Sequence, residues 1–565
     1  MMAAGFVVSS GADGVRIRTY SERLISTGRR GPFTAILLGR IYYRPPGQYE
    51  SDAALVAALY ERGGLGALER LEGDFVLVAH DGHAQKVVAV RSPMGAYPLF
   101  WTQGETFAIA TSLRPLVEQL QDVRIDDEYV ADYLAYPLAS MMELPAERTA
   151  YRDVQRLLPG WSLELNLATR HVQRRRSWDW AAHIESPRPA TIEEAGEMIR
   201  ERLHAAVRER LGRVGRTACH FSGGMDSTSV ALLAEPLLAA RGESLEALTH
   251  VYSRDPILAT EREYIECALE GRRALRHHVL LSDDILRWDA IDDVPPLDEP
   301  STGIAFYRQS TALADLARDA GADTILGGDG ADHLFAHSPA ILAAELLRGG
   351  HVLRALHLMR EHAAATTGSA WLHLRETIAY VASPTRLRVP PWFTRDYAAQ
   401  QRLAERTASR AIGYLRGRRF GIEDLEELSG DWFNWHIGAT RGILITQPFF
   451  DTRVMSLALG MPLRFHEPPH PMKPLLAAAM NGVLPGKIMH RSRKAHFGAL
   501  VEGYARNRMA LERLVELAPQ EIFERAVLRD AIDRAALGIY DDAVALGRLD
   551  LTLAFLKWRS QPPIR

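Results

Sequence analysis

Residues 217–229 read Thr-Ala-Cys-His-Phe-Ser-Gly-Gly-Met-Asp-Ser-Thr-Ser: an apolar run, a glycine turn, then polar residues that lead into a helix. The run TACHF (217–221) has the length and bounds of a buried strand, and a helix is expected from Thr228. Gly223 and Gly224 let the backbone turn sharply and approach a ligand closely. Free N–H groups at a helix start converge on one spot, which suits a phosphate. Ser222 and Ser227 can add hydroxyl donors. Asp226 would repel a bare phosphate, so its presence makes sense with a divalent cation between carboxylate and phosphates. The plain alternative is a polar turn ahead of a well-capped helix. No Gly-Lys-Ser/Thr follows the turn, so it is no Walker A loop. Marks of a Rossmann dinucleotide site, a zincin and a serine hydrolase are also missing.

Downstream, ALTHVYS (247–253), HHVLLS (277–282) and DTILGG (323–328) read as further buried strands. Helices are expected at about 191–212 and 261–271, and strands that alternate with helices imply a parallel sheet. Ligands collect at the carboxyl ends of such strands. There stands the second signal, Gly327-Gly328-Asp329-Gly330-Ala331-Asp332. Asp226 and Asp332 could then share one or two Mg2+ ions; the alternative is a glycine turn with solvated aspartates. The third signal is basic: Lys487, Arg491, Arg493 and Lys494 within 484–497. A lysine here could neutralise a departing pyrophosphate, although such clusters are usually solvated faces. Lys473, in HPMKPLLAAAM, is the weakest of the basic signals.

Upstream, residues 1–180 read as mostly antiparallel. FTAILLGRIYY (33–43) is strand-rich, 51–64 is helical with Ser51 as N-cap and Gly63-Gly64 near its stop, and 75–90 and 97–111 read as hairpins. The proline-bearing stretch at 181–192 is a linker candidate, and from about 340 the chain is mostly helical. The 565 residues are 47% hydrophobic and 24% charged, which excludes a disordered chain or a collagen. A net charge of −3 gives no pull toward nucleic acid or an acidic membrane. Two cysteines exclude a disulfide scaffold and a four-cysteine zinc site, and fit a reducing compartment. With no long apolar run and no basic region ahead of the first apolar stretch, a soluble cytoplasmic protein is expected.

Together, SGGMDS (222–227), GGDGAD (327–332) and RSRKAHF (491–497) resemble the synthetase domain of the asparagine synthetase B family. Asp298-Glu299-Pro300, Pro448 to Asp451 and Met472 to Pro485 match family segments in the same order. GRIYY, SDAALVAALYERGG, LEGDF and RSPMGAYPLF resemble that family's glutaminase domain. The resemblance covers most of 33–500, and the last 65 or so residues match nothing. It implies two domains. Residues 1–185 would form a degenerate, Ntn-type antiparallel β-sandwich with helices. Residues 186–565 would form a parallel-sheet ATP-pyrophosphatase domain, adenine nucleotide α-hydrolase-like, with a helical extension.

The departures narrow the function. Glutaminases of this class use an N-terminal cysteine, whereas this chain begins Met-Met-Ala-Ala. The usual Asn-Gly of the glutamine pocket is Glu72-Gly73. No ammonia is then expected from glutamine, and an amine on the substrate itself would close a lactam. One family branch makes β-lactams; another closes the macrolactam of lasso peptides, joining an N-terminal amine to an Asp or Glu side chain. β-Lactam synthetases carry a tyrosine before the Gly-x-Asp of the second loop, where this chain has Asp329. Residues 133–161 and the overall length look more like lasso cyclases. By that resemblance Ser222, Gly223, Gly224, Asp226, Ser227 and Gly328 hold ATP, with Thr249 and Val251 near the adenine. Asp226 and Asp332 bind Mg2+, Lys494 stabilises charge in adenylation, and Asp329 orients or deprotonates the amine. A core peptide is the implied substrate, with a leader peptidase and a leader-binding protein as partners. The rivals are an ammonia-dependent asparagine synthetase, a small-ring lactam synthetase and a non-catalytic scaffold. His277, His278, His333 and His337 fit no zinc spacing. Trp432 and Trp435 read as aromatic core, or as walls of a peptide cavity between 340 and 445.

Overall fold

The apolar runs Phe33–Tyr42 and Glu72–Asp81 pair antiparallel along their length, with a helix inserted between them. The computed structural model describes residues 5–11, 14–20, 23–104, 106–136, 143–254, 256–336, 339–366, 371, 375, 389–411, 430–466, 473–491, 498–540 and 543–562. In chain order the amino-terminal strands are β1 (Phe6–Gly11), β2 (Gly14–Thr19), β3 (Ile25–Arg30), β4 (Phe33–Tyr42), β5 (Glu72–Asp81) and β6 (Lys86–Arg91). They continue as β7 (Phe100–Gln103), β8 (Phe107–Ala110), β9 (Gln155–Arg156), β10 (Trp161–Asn166) and β11 (Val172–Arg176). They form two antiparallel sheets, β2-β1-β8-β7-β9 and β11-β10-β6-β5-β4-β3. Phe6, Val8 and Ile109 of one sheet interleave with Ile36, Val76 and Val78 of the other, so the sheets pack as a sandwich.

The opposite face of β4 and β5, with Ala35, Leu37 and Leu77, is covered by the helix Asp52–Leu68. Ser51 caps it as expected, accepting from the Ala54 amide at 3.1 Å. The helix does not stop at Gly63-Gly64. It breaks at Gly64 (φ 60°) and resumes, because Leu65 and Leu68 still have the sheet to cover. The stretch 184–191 is irregular, as the prolines required, and Thr191 caps the helix Ile192–Arg210.

The second half is a parallel sheet. Its strands are β12 (Arg216–His220), β13 (Leu245–Val251), β14 (Leu275–Leu281), β15 (Ala322–Leu326) and β16 (Leu444–Thr446), in the order β14-β13-β12-β15-β16. Cys219, Phe221, Ala247 and Leu326 face the helices Ile192–Arg210 and Met225–Ala239. Ala218, Leu248, Ile325 and Ile445 face the helix Tyr307–Asp319 and the π-helical turn Phe433–Ala439. Helices on both faces explain the continuous apolar strands. β14 departs from expectation: it is an edge, and Val279 and Leu281 are 53% and 62% exposed. The helix after the glycine turn starts at Met225, three residues before Thr228, because extended Gly224 serves as its N-cap. Asp226 therefore lies in the first turn, where a carboxylate suits the helix dipole.

The carboxy-terminal helix Ala543–Arg559 is buried against Tyr129, Val130 and Ile304, so it ties the last segment to both halves. Asp550 accepts from Arg287, Tyr504 and, at 3.2 Å, the Trp288 indole. Among the described residues, no helix is long and apolar enough to cross a membrane.

Candidate active site

β12 runs through the middle of the parallel sheet, with Cys219 opposite Ala247 on one side and Leu326 on the other. Its exit is the glycine turn. Gly223 adopts φ +73°, and a Cβ there would lie 2.9 Å from the Ile265 amide, so neither the dihedral nor the space admits a side chain. The turn is folded around its own hydroxyls. Ser222 and Ser227 Oγ are 3.0 Å apart, the Ser222 amide donates to Ser227 Oγ at 3.2 Å, and the Gly224 amide donates to Ser222 Oγ at 3.3 Å. Above it, the first N–H groups of the helix have no acceptor within the helix and carry its positive end.

The second loop leaves β15 directly alongside. A Cβ on Gly328 would meet the Ser227 amide at 2.5 Å, so the two loops are in contact only because that residue is glycine. This contact brings Asp226 and Asp332 to one point, and a lysine stands there. Lys473 Nζ bridges to Asp332 Oδ1 at 2.7 Å and to Asp226 Oδ1 more closely still. The lysine is 2% exposed, and Asp332 is 52% exposed. Lys473, the basic residue of least weight in the sequence, thus stands at the centre of the site. Composition held a signal for it. Only five of the 67 basic residues are lysines, and Lys473, Lys487 and Lys494 are three of them. Where arginine serves nearly every surface, a lysine marks a place that needs a compact ammonium.

The remaining basic residues separate. Lys487 pairs with Glu263 at 2.8 Å and Arg491 with Glu261 at 2.6 Å, both on the helix Glu261–Leu269. Arg493 and Lys494 lie outside the described residues.

Behind the two loops opens a cleft of about 420 Å³ on the sheet face toward helix Tyr307–Asp319. Apolar walls of Leu248, Phe306, Leu313 and Phe433 carry polar groups at His220, His250, Gln309 and Asp329. Asp329 stands at this opening with solvent on one side; the protein packed around it raises its pKa, His220 and His333 oppose the rise, and Asp226 and Asp332 add to it. Burial lowers the His220 pKa, and Asp329 opposes that fall. His250 is pushed down to about 3 by burial and by His220. Its Nδ1 lies 2.7 Å from Ser282 Oγ.

Thr249 and Val251, expected near the adenine, stand at the carboxyl end of β13 beside this cleft. β13 presents Leu248 and His250 to the cleft, while the alternate residues Thr249 and Val251 point to the other face. The Thr249 hydroxyl donates to the Phe221 carbonyl at 2.6 Å and lies 2.9 Å from His277 Nε2. Only its backbone remains for a nucleotide. His278 meets Glu246 at 2.6 Å, and His337 lies outside the described residues. Among the described residues, no cluster of three or more His, Cys, Asp or Glu could hold a metal ion by itself. Trp432 and Trp435 are buried. The Trp432 ring fills the space above Gly303, and Trp435 packs edge-on against Tyr97 at 6.4 Å.

At Glu72-Gly73 the two halves are locked together. Glu72 accepts from the Thr452 hydroxyl at 2.6 Å and pairs with Arg453 at 3.0 Å. The Arg453 guanidinium stacks 3.6 Å from the Tyr43 ring centre, and Tyr43 donates to Asp451 at 2.9 Å. Arg210 closes the group with Asp451 at 2.6 Å. The space left between Glu72, Asp74, Arg210 and Asp451 is about 10 Å³, room for one water at most. A second buried group joins the halves deeper in. Arg91 donates to Glu143 at 2.9 Å, and Arg156 lies against Glu143 and Glu299. Burial alone would raise the Glu143 pKa, but the two arginines outweigh it and hold the carboxyl below its usual range.

Comparison with known proteins agrees with this architecture. The Asparagine synthase family model matches residues 198–560, and the Glutamine amidotransferase domain model matches residues 46–178. The first match runs through the last helices, which the sequence motifs had left unassigned. Amidase chyE of Penicillium rubens is 27% identical over 326 residues, 54% of this chain and 46% of that protein. The putative asparagine synthetase [glutamine-hydrolyzing] 1 of Methanocaldococcus jannaschii is 26% identical over 296 residues, 51% of this chain and 48% of that one. Asparagine synthetase [glutamine-hydrolyzing] 2 of Bacillus subtilis is 23% identical over 261 residues, 42% of this chain and 32% of that one. The chain thus spans half or less of the length of these curated relatives. With antiparallel sheets ahead of a parallel sheet flanked by helices, and a family model matched over more than half of its length, this chain belongs to the asparagine synthase family.

Proposed function

We propose that this protein is an ATP-dependent, AMP-forming amide ligase that takes its amine from the substrate itself, and that it closes the macrolactam of a lasso peptide. The observation that carries the reading is the filled space beside Glu72. Where the resemblance puts the glutamine pocket, Asp451 and Thr452 line a space of about 10 Å³ and Arg453 pairs with the Glu72 carboxylate. With no ammonia made in cis, an amine within a peptide is the economical nucleophile.

The chemistry fits the site in two steps. A side-chain carboxylate of the core peptide attacks the α-phosphorus of ATP, the bond to the β-phosphate breaks, and pyrophosphate leaves. The peptide's N-terminal amine then attacks the acyl carbon, AMP departs, and one proton is lost. The Ser222–Ser227 turn and the helix start offer N–H and O–H donors to the phosphates. The Lys473 ammonium stands where charge on the leaving pyrophosphate would develop, and Lys494 is expected to serve the same charge. Asp226 and Asp332 fit a Mg2+ site of the nucleotide-dependent kind: two carboxylates that already converge on one cation, with phosphates and water to complete the shell. Bound there, Mg2+ would neutralise phosphate charge. A leader peptidase, a leader-binding protein and a cytoplasmic setting accompany this reading.

A second reading, a small-acid amide synthetase, draws on the cleft. About 420 Å³ lies in the range of small-molecule pockets, for which about 300–1,000 Å³ is usual. The test is to incubate the enzyme with ATP, Mg2+ and the leader-free peptide encoded beside it, without glutamine or ammonium. Loss of one water from the peptide, with AMP formed and a protease-resistant product, supports the cyclase. AMP release with free amino acids, and none with the peptide, would favour the small-acid reading.

A further inference from the structure

His220 occupies a register position at which the strand should carry an apolar side chain. On the sheet face toward helix Tyr307–Asp319, β12 presents Ala218 and then His220, and the residue paired with His220 on β13 is Leu248. The face is apolar until its carboxyl edge, and there an imidazole enters the cleft. Two residues later the chain becomes the Ser222 turn. The neighbouring strand β15 exits through Gly327 and Gly328 and delivers Asp329 into the same cleft.

The other groups that face the cleft are already engaged. His250 is held at Nδ1 by Ser282, and the Tyr252 hydroxyl accepts from Gln309 Nε2 at 3.1 Å. Helix Tyr307–Asp319 adds the uncharged Gln309 and Ser310, the π-helical turn adds Phe433, and the exit of β16 adds Gln447. Gln447 accepts from the Asp329 amide at 3.2 Å, which fixes that loop. Of the groups lining the cleft, Asp329 supplies the carboxylate and His220 a second imidazole beside His250.

We infer that His220 accepts the proton of the attacking amine, with Asp329 as the carboxylate of the same cleft that balances the imidazolium. This rests on the amide-ligase reading above. An α-amine has a pKa of about 8 and reaches the site largely as ammonium, which has no lone pair to attack with. The ammonium first gives one proton to solvent; in the step the N–C bond forms, the bond between acyl carbon and phosphate oxygen breaks, AMP leaves, and the second N–H proton passes to His220 and then to water. Burial keeps His220 neutral before the step, the state a base requires. Asp329 is then a positioning residue that shares the cleft with the imidazole and offsets its charge.

Two measurements test this. First, hydroxylamine, a strong nucleophile at neutral pH without help from a base, competes with the peptide amine for the adenylated leader-free core peptide in the presence of ATP and Mg2+. His220→Asn should lower lactam formed per hydroxamate formed by about 100-fold or more, the usual share of general base catalysis. The rising limb of the lactam pH profile should disappear with it. Lactam and hydroxamate falling together would overturn the role. Neither hydroxamate nor AMP from the parent enzyme would overturn the ligase reading and this role with it. Second, the His220 imidazole resonance, assigned by its loss in His220→Asn, is titrated by NMR in the parent and in Asp329→Asn without any substrate. Removing the carboxylate should lower the His220 pKa. An unchanged titration would overturn the pairing alone.

Discussion

Lys473 is held by two carboxylates, and one ammonium leaves that trio with a net charge of −1. Lys473→Met should therefore do two things. ATP-dependent turnover should fall by about 100-fold or more, in the range of a lost oxyanion donor. Mn2+ binding without nucleotide should tighten, since two carboxylates then face each other with no ammonium between them; calorimetric titration would read this, and unchanged affinity would contradict the convergence of Asp226 and Asp332. Ser222, Gly223, Gly224, Asp226, Ser227, Gly328 and Asp332 were legible in the sequence because glycine turns between strands and helices have a fixed local chemistry. Lys473 was not, since its partners lie about 140 and 250 residues away in the chain and no local pattern encodes that meeting. On β13 the side chains of Leu248 and His250 face the cleft and those of Thr249 and Val251 face away, an alternation that only the register decides.

At the scale of elements, the π-helical turn Phe433–Ala439 forms a wall shared by the cleft and the interface between the halves. Asp431 caps it, accepting from the Asn434 amide at 3.0 Å. Burial, with Asp329 and Asp74 nearby, raises its pKa to about 7. A carboxyl whose folded pKa lies above its unfolded value of about 3.9 holds a proton in the folded state that the unfolded chain has lost. Stability then falls as pH rises from about 4 to about 7, and levels off above. Asp431→Asn keeps an acceptor for the cap and removes this loss. It should melt higher than the parent at pH 8 and close to it at pH 4.5 by scanning calorimetry; a parent that gains stability between these values relative to the variant would contradict the assignment. Sequence pattern read the chain from about 340 only as mostly helical and found neither this turn nor the strand Leu444–Thr446 after it, because DWFNWHIGATR carries no period that separates a π-helical turn from an α-helix. The edge position of β14 was hidden for a related reason: HHVLLS is as apolar as a central strand, and topology alone sets it at the rim.

At the scale of the whole molecule, the two halves meet through buried charges. Arg210 and Asp451 are 3% and 2% exposed, and removing Arg210 leaves the buried Asp451 with neutral donors such as the Tyr43 hydroxyl but without the guanidinium paired to it. Arg210→Met should cost about 3–5 kcal/mol and lower the melting temperature, whereas Arg453→Met, at a more exposed pair, should cost about 1 kcal/mol or less. Equal losses would contradict the burial argument. The order of layers, antiparallel first and parallel second, was readable from alternation alone, and the filling of the space beside Glu72 was not, because Arg453 and Thr452 reach it from the far end of the chain. In the proposed reading, that filled space goes with an amine drawn from the substrate itself. The most direct measurement labels the side-chain carboxyl of the leader-free core peptide with 18O and follows the label in buffer free of glutamine and ammonium. One 18O should appear in AMP for each peptide that loses one water, and neither should occur in Asp226→Ala. Amide formation that requires added glutamine or ammonium, or label absent from AMP, would contradict the account.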